Sequence, residues 1–434
     1  MEPPPPPRPA WRARLLAMLV GSTAAVLAAE LALRAVLFAN SSTLNQLSDG
    51  FRTPDNYAKP TEDDLWWLLH FVWSDRSAQL PPNGHPRFGW TNGRFDAETM
   101  AHEDERLLSA SQNGTRHPIL LFGDSFSMCL TPTEECFEGL IEGLPLQRDA
   151  RVLNYGVGGY GFDQTHMVAT AALEALAARP EYQAGLVPAP VVAIGLIPDD
   201  LDRMALALRD YVKPRYTLED GQLVRHPAEP ANTRAFLERQ GLGRRSWLVQ
   251  HAIYASGLGN RIRRARRDRH RALRGALAEH LVGDLVARLD GMGIEHFFLL
   301  MPELRDLDDG RGDWQEVRMR EIVEAQGSRL VDARGDFERH MAEQNLVSAD
   351  YFGAEGPPLY GHYNALGNAV ATATLLRGLA GENDAGPPLA DPALGPAARV
   401  SLARLRDDLS QRGTALTEQD PAPAASGAAE PGRR

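Results

Sequence analysis

Between Pro118 and Leu379 short apolar runs alternate with longer stretches of helical period. The runs are Pro118 to Phe122, Arg151 to Asn154, Pro190 to Gly195, Glu295 to Met301 and Arg329 to Asp332, and the helical stretches include Gln164 to Ala178, Leu273 to Leu289 and Asn364 to Leu379. A strand covered on one face alternates apolar and polar residues; a strand buried on both faces reads as an unbroken apolar run. Unbroken runs separated by helices predict a five-stranded parallel sheet in a three-layer α/β/α domain. The first run stops at Gly123-Asp124-Ser125, and a helical pattern from Phe126 to Leu140 follows. Ser125 is therefore expected at the carboxyl end of a strand, where open α/β sheets bind ligands.

The flanking regions follow other patterns. Leu15 to Ala29 is an apolar or small-residue run behind Arg8, Arg12 and Arg14; Glu30 and Arg34 interrupt it, and it resumes to Ala39. From Leu15 to Phe38 the segment is long enough to cross a bilayer at ~1.5 Å per residue. Glu30 and Arg34 are one helical turn apart, so they can pair near the far interface. A signal peptide cleaved near Val26-Leu27-Ala28 is the rival reading. The continued apolar pattern favours an uncleaved anchor, with residues 1–39 as a cytoplasmic stub and membrane span and the rest extracytoplasmic, because the arginines precede the span. The expected location is a single-pass position in the cytoplasmic membrane, with the main domain extracytoplasmic.

Residues 40–116 form an irregular arm holding one aromatic cluster, Leu65 to Trp73. Trp66, Trp67 and Trp73 read as a short helix packed on the main domain, an interfacial belt or sugar-stacking platforms. Residues 117–381 are expected to form the main domain. The gap at 201–271 exceeds a simple connection and predicts an insertion. Within it, Arg215 to Val224 reads as a hairpin turning at Asp220-Gly221. Arg261 to Arg271 is a dense basic stretch, read either as a solvated helix face or as a contact for anionic lipid or acidic polysaccharide. Residues 382–434 are rich in Pro, Ala, Gly and charge; Ala397 to Leu409 is amphipathic, and the end reads as disordered.

Forty-six basic against 57 acidic residues give a net charge of -11, which makes no general case for a nucleic-acid partner. Cys129 and Cys136 are the only cysteines. They read as a disulfide closing a small loop beside Ser125 or as two free buried thiols. They have no His or Cys company of ligand spacing, so no metal is expected.

The remaining chemistry gathers at strand ends on the side of Ser125. Asn154-Tyr-Gly-Val-Gly-Gly-Tyr-Gly-Phe-Asp-Gln164 satisfies a dinucleotide fingerprint at Gly156, Gly158 and Gly161, but it follows the second strand where such a loop belongs after the first. Its glycines are better read as letting backbone approach the substrate of the serine. Asp199, Asp200 and Asp202 follow Pro198, as helix caps or pocket lining. His362, just before the last helix of the domain, has the pKa for general-base work, and serine with histidine is the minimal acyl-transfer pair.

Together these segments resemble the SGNH or GDSL-type hydrolases over about Pro118 to Ala380. Gly123-Asp124-Ser125 resembles the nucleophile block, Asn154 to Gln164 the second block with Gly159 as oxyanion amide, and Gly361-His362-Tyr-Asn the block of the base. Lys213-Pro-Arg-Tyr and His85-Pro-Arg-Phe-Gly-Trp90 are similar to motifs of membrane-anchored bacterial members. The resemblance implies an SGNH-like, flavodoxin-like fold and a serine esterase or O-acyltransferase without cofactor, acting on O-acetyl groups of envelope carbohydrate. Two positions depart from the pattern. Asp199 stands where the family has an asparagine that donates to the oxyanion, and Leu359 and Tyr360 stand where it has the acid that orients the histidine. Asp350, Glu355 or a backbone carbonyl are the substitutes on offer. A fold that binds glycan without hydrolysis is the alternative function.

Overall fold

The computed structural model describes residues 10–38, 50–59, 64–73, 83–103, 116–228, 236, 239, 245–308, 313–354, 359–382 and 394–418. The expected cytoplasmic stub before Ala10, the end of the tail after Glu418 and Glu355 lie outside them. The described chain forms two compact units, one of Met1–Leu80 with Pro230–His270, the other of Pro81–Glu229 with Arg271–Arg434.

The first unit is built on the helix Ala10–Phe38, whose segment Ala13–Phe38 has a mean hydropathy of 1.9 and is long and apolar enough to cross a membrane. Glu30 and Arg34 pair along it at 2.7 Å, as their spacing predicts. The Glu30 carboxylate also accepts from the amides of Trp247 (3.0 Å) and Leu248 (2.9 Å) and from the Ser246 hydroxyl (2.9 Å). These belong to the start of the helix Trp247–Ala255, so the carboxylate satisfies amides that have no acceptor within their own helix. The aromatic cluster forms the helix Asp64–Trp73, which buries Leu65, Leu68, Leu69 and Phe71. Trp73 donates to the Leu37 carbonyl at 3.1 Å and packs edge-on against Tyr57. The partners of the cluster within this unit are thus the end of the apolar helix and its neighbours.

The second unit carries the α/β fold. Its five-stranded parallel sheet has the order β4 (Ala150–Asn154), β3 (His117–Phe122), β5 (Val191–Leu196), β8 (Glu295–Leu300), β9 (Arg329–Asp332). Each strand falls on one of the five apolar runs. β5 is buried at every position, as expected at the centre of a sheet covered on both faces. Leu120, Phe122, Val192 and Ile194 face one core with the helices Phe162–Ala177 and Leu258–Gly291, while Ile119, Leu121, Val191 and Ala193 face the other with the helices Ala365–Leu379 and Leu394–Glu418. A short antiparallel pair, β1 (Gly84–His85) with β2 (Gly89–Trp90), precedes the sheet. The hairpin of β6 (Arg215–Glu219) and β7 (Gln222–His226) turns at Asp220 and Gly221, both at positive φ as a type I′ turn requires.

The helix expected from Phe126 to Leu140 is instead three pieces, Ser125–Met128, Thr133–Glu135 and Phe137–Glu142. Cys129 takes φ 64 and Pro132 precedes the second piece, so the helix cannot run through, and a Cys129–Cys136 disulfide closes the loop between. The stretch Leu273 to Leu289 is part of a much longer helix, Leu258–Gly291, that includes the basic run.

Candidate active site

β3 ends at Phe122, and Gly123 after it has no space for a side chain: a Cβ there would meet Ser127 Oγ at 2.0 Å and the Gly195 carbonyl oxygen at 2.8 Å. The chain turns at once into the helix Ser125–Met128, capped by Asp124, whose carboxylate accepts from the Phe126 amide at 2.9 Å. Ser125, 7% exposed, is thereby the first residue of a helix at the carboxyl edge of the sheet. His362 reaches it from a turn ahead of the helix Ala365–Leu379, and its Nε2 lies 2.7 Å from Ser125 Oγ. The residues are 237 positions apart in sequence. Asp124 Oδ2, at 3.4 Å, is a looser alternative acceptor for the same hydroxyl proton.

The other imidazole nitrogen, Nδ1, lies 2.8 Å from the Leu359 carbonyl, which also accepts from the His362 amide at 2.9 Å. Tyr360 (φ 48) and Gly361 (φ 76) form the centre of this tight turn. A carbonyl can only accept, so the proton sits on Nδ1 and Nε2 is left to take one from Ser125. Of the substitutes for the missing acid that lie among the described residues, the backbone carbonyl is the one that meets the ring. Asp350 is engaged elsewhere, accepting from the Val347 amide at 2.8 Å. Burial pushes the His362 pKa down, the Asp124 carboxylate and the Leu359 carbonyl push it up, and Arg203 pushes it down again; the net shift is below 6.5. His362 is therefore neutral, and able to act as a base, at neutral pH.

The glycine loop Gly156 to Gly161 follows β4 and lies against the serine helix. The Val157 amide donates to the Gly123 carbonyl at 3.1 Å, and a Cβ added to Gly158 would come 3.8 Å from that of Ser125. Gly159 has φ 80, which favours glycine, and a Cβ there would displace the Asp210 carboxylate, whose Oδ2 lies 2.0 Å from its place. Neither the Ser125 nor the Gly159 amide has an acceptor among the described residues. Asn154, counted from the sequence among the pocket residues, stands behind the loop: it is fully buried, donates to the Ser127 carbonyl (2.8 Å) and Glu138 (3.1 Å), and accepts from the Gly156 amide (3.0 Å). All its side-chain hydrogen-bonding capacity toward the loop is used in shaping it.

The acids after β5 are likewise tied to cations. Arg203, buried, donates from Nη1 to Asp124 at 2.8 Å and, more loosely, to Asp200 and the Tyr160 carbonyl at 3.4 Å each. It thus joins the turn after β3, the glycine loop and the segment after β5. Asp200 is fully buried and accepts from the Ile197 amide at 3.1 Å; burial, then the neighbouring Asp124 charge, raises its pKa against the opposing pull of Arg203. It is a buried anchor and does not line an open pocket. Asp199 is partly exposed, 2.7 Å from Arg305 and 3.8 Å from Arg203. Burial acts to raise its pKa, but the two guanidinium groups outweigh it and hold the carboxylate below the ordinary range. Asp199 is therefore an anion balanced by two cations. Its neighbour Glu303, on the same Arg305, is pushed up to about 7 by burial and by the Asp199 charge.

Arg203 closes the stretch containing the three aspartates, yet the sequence carries no sign of its role, because its main partner is 79 positions away. No group of His, Cys, Asp and Glu among the described residues is arranged to hold a metal ion. A cavity of about 510 Å³ is lined by Asp336, His340, Arg377 and Leu409 among others, none of them a residue of the Ser125 cluster.

No family model matches the chain, and no curated protein matches it. Among solved structures, similarity is found to LAE5, an alpha/beta hydrolase enzyme from the metagenome of Lake Arreo, Spain, at 17% identity and a TM-score of 0.30 over 61% of this chain and 94% of that one. It is also found to Axe2, an acetylxylan esterase from Geobacillus stearothermophilus, at 16% identity and a TM-score of 0.29 over 61% and 95%.

Proposed function

We propose that the second unit is an SGNH-type serine esterase or O-acyltransferase that acts on O-acetyl groups of cell-envelope carbohydrate, held at the outer face of the cytoplasmic membrane by the Ala10–Phe38 helix. The observation that carries this reading is the 2.7 Å contact between Ser125 Oγ and a His362 whose tautomer is set by a carbonyl. In the reaction His362 Nε2 takes the Ser125 proton as Oγ bonds to the ester carbonyl carbon. The negative charge moves to the carbonyl oxygen, where the Ser125 and Gly159 amides serve as donors. The carbon–oxygen bond to the alcohol then breaks, and the imidazolium returns its proton to that leaving oxygen. Water or a sugar hydroxyl, deprotonated by the same nitrogen, releases the acyl group from Ser125.

The carbonyl partner of Nδ1 is uncharged, so it stabilises the imidazolium less than a carboxylate would. Asp199 adds no donor of its own to the oxyanion. Both features favour slow turnover, and they sustain the second reading, a glycan-binding protein that has kept the fold. A fluorophosphonate probe separates the two. Labelling of the wild type that is lost in Ser125→Ala and in His362→Ala, with acetyl release from 4-nitrophenyl acetate lost in parallel, is expected of the enzyme. A folded wild type that neither labels nor releases acetate refutes it. Transfer of the acyl group to an added sugar in preference to water assigns the acyltransferase.

A further inference from the structure

The basic run lies on the helix Leu258–Gly291, within the part that belongs to the first unit. Arg261, Arg264, Arg266, Arg267 and Arg269 are all exposed against a single acid, Asp268, which is 3.6 Å from Arg267. They point outward all round this part of the helix, and a segment this rich in one charge repels itself unless counter-charge is supplied from outside. The esterase chemistry of the second unit makes no use of it.

Its height above the membrane follows from the first unit's own hydrogen bonds. Glu30 fixes the start of Trp247–Ala255 eight residues before Phe38, about 12 Å below the end of the apolar helix. Trp247–Ala255 is about 13 Å long, a turn at Ser256 and Gly257 (φ 75) follows, and Arg261 lies one turn into the next helix. Even if every piece points straight away from the bilayer, Arg261 stands at most about 13 Å beyond the level of Phe38. That is comparable with a Debye length of ~8–10 Å, so the first arginines lie within the field of a charged surface. Around them Val249 and Leu258 are 51% and 49% exposed, apolar groups suited to the headgroup boundary.

The geometry points to a lipid-binding segment: the arginines from Arg261 to Arg269 bind the anionic headgroups of the same bilayer that the apolar helix crosses, and Glu30 sets their height. The occupant is an anionic phospholipid surface. An acidic polysaccharide would satisfy the charge but gives no reason for the basic run to be tied to the membrane-crossing helix by the hydrogen bonds of Glu30.

The full chain in nanodiscs of phosphatidylcholine, with or without phosphatidylglycerol, tests this by amide hydrogen exchange across Leu258 to Arg271. Exchange is expected to slow in the anionic discs, by about fivefold for each arginine engaged, and to recover in high salt. Arg264→Glu with Arg267→Glu should remove the lipid dependence while exchange in Trp247–Ala255 stays unchanged. Equal exchange in the two kinds of disc overturns the proposal. Slowing that appears only when an acidic polysaccharide is added to phosphatidylcholine discs also overturns it and assigns the face to glycan.

Discussion

Replacing Arg203 by methionine should destabilise the second unit more than any exposed substitution in it. The side chain is 9% exposed and meets two carboxylates, Asp124 and Asp200, that are fully buried. Removing one partner from a buried ion pair costs about 3–5 kcal/mol, because the remaining charge has neither water nor a counter-ion. At about 2–4 °C per kcal/mol for a domain of this size, the melting point should fall by roughly 6–20 °C. The deficit depends on pH. Burial already raises the Asp200 pKa in the wild type, and loss of the guanidinium raises it further. An acid whose folded pKa is raised contributes stability at low pH that is lost as pH rises toward that pKa. The variant should therefore lie closer to the wild type at about pH 5 than at about pH 8. Near-ultraviolet circular dichroism of the detergent-solubilised chain, scanned with temperature at both values, reads the effect. Arg203→Lys keeps the charge but loses the fork, so it should fall between the two. Because Asp124 caps the helix that begins at Ser125, fluorophosphonate labelling should slow in Arg203→Met even at temperatures where the variant is folded. A melting point within 2 °C of wild type at both pH values would show that the network is not held by this arginine.

The acid limb of kcat/KM for a small acetyl ester should have an apparent pKa below 6.5, the ordinary histidine value, because His362 must be neutral to accept the serine proton and burial favours its neutral form. An acid limb centred above 6.5 would contradict that assignment. Reduction of the Cys129–Cys136 bond, a separation of seven residues, should lower stability by about 2.5 kcal/mol through loop-closure entropy. A thermal scan with dithiothreitol checks this, and an unchanged melting point with both thiols shown free would count against it.

The sheet was readable because its strands are buried on both faces, and such strands leave unbroken apolar runs. Pro190 to Gly195 against the observed Val191–Leu196 is typical of the agreement. The places of Ser125 at a strand end and of His362 in a pre-helix turn were readable because these are local features, marked by Gly123-Asp124 and by Asn364, which caps the helix Ala365–Leu379 through the Leu366 and Gly367 amides. Failures came where a non-local constraint decides the conformation. Phe126 to Leu140 has helical periodicity, but the left-handed backbone at Cys129 and the bond to Cys136 divide it. Arg203 reads as one more surface arginine until the fold brings Asp124 to it. Asn154 has the polarity of a pocket residue, and only the tertiary contacts show that its amide is spent on the neighbouring loop.

The Leu359 carbonyl has one further consequence. Every side chain could be retained and the imidazole still lose its aim, since the atom that orients it belongs to the main chain. A survey that replaces the described acidic residues one at a time would find no third member to the Ser125 and His362 pair. Sensitivity should concentrate instead at Gly361, where φ 76 suits glycine and a β-branched residue would have to unwind the turn. The aim of the His362 imidazole therefore rests on the shape of a four-residue turn, and a glycine with no chemistry of its own guards it.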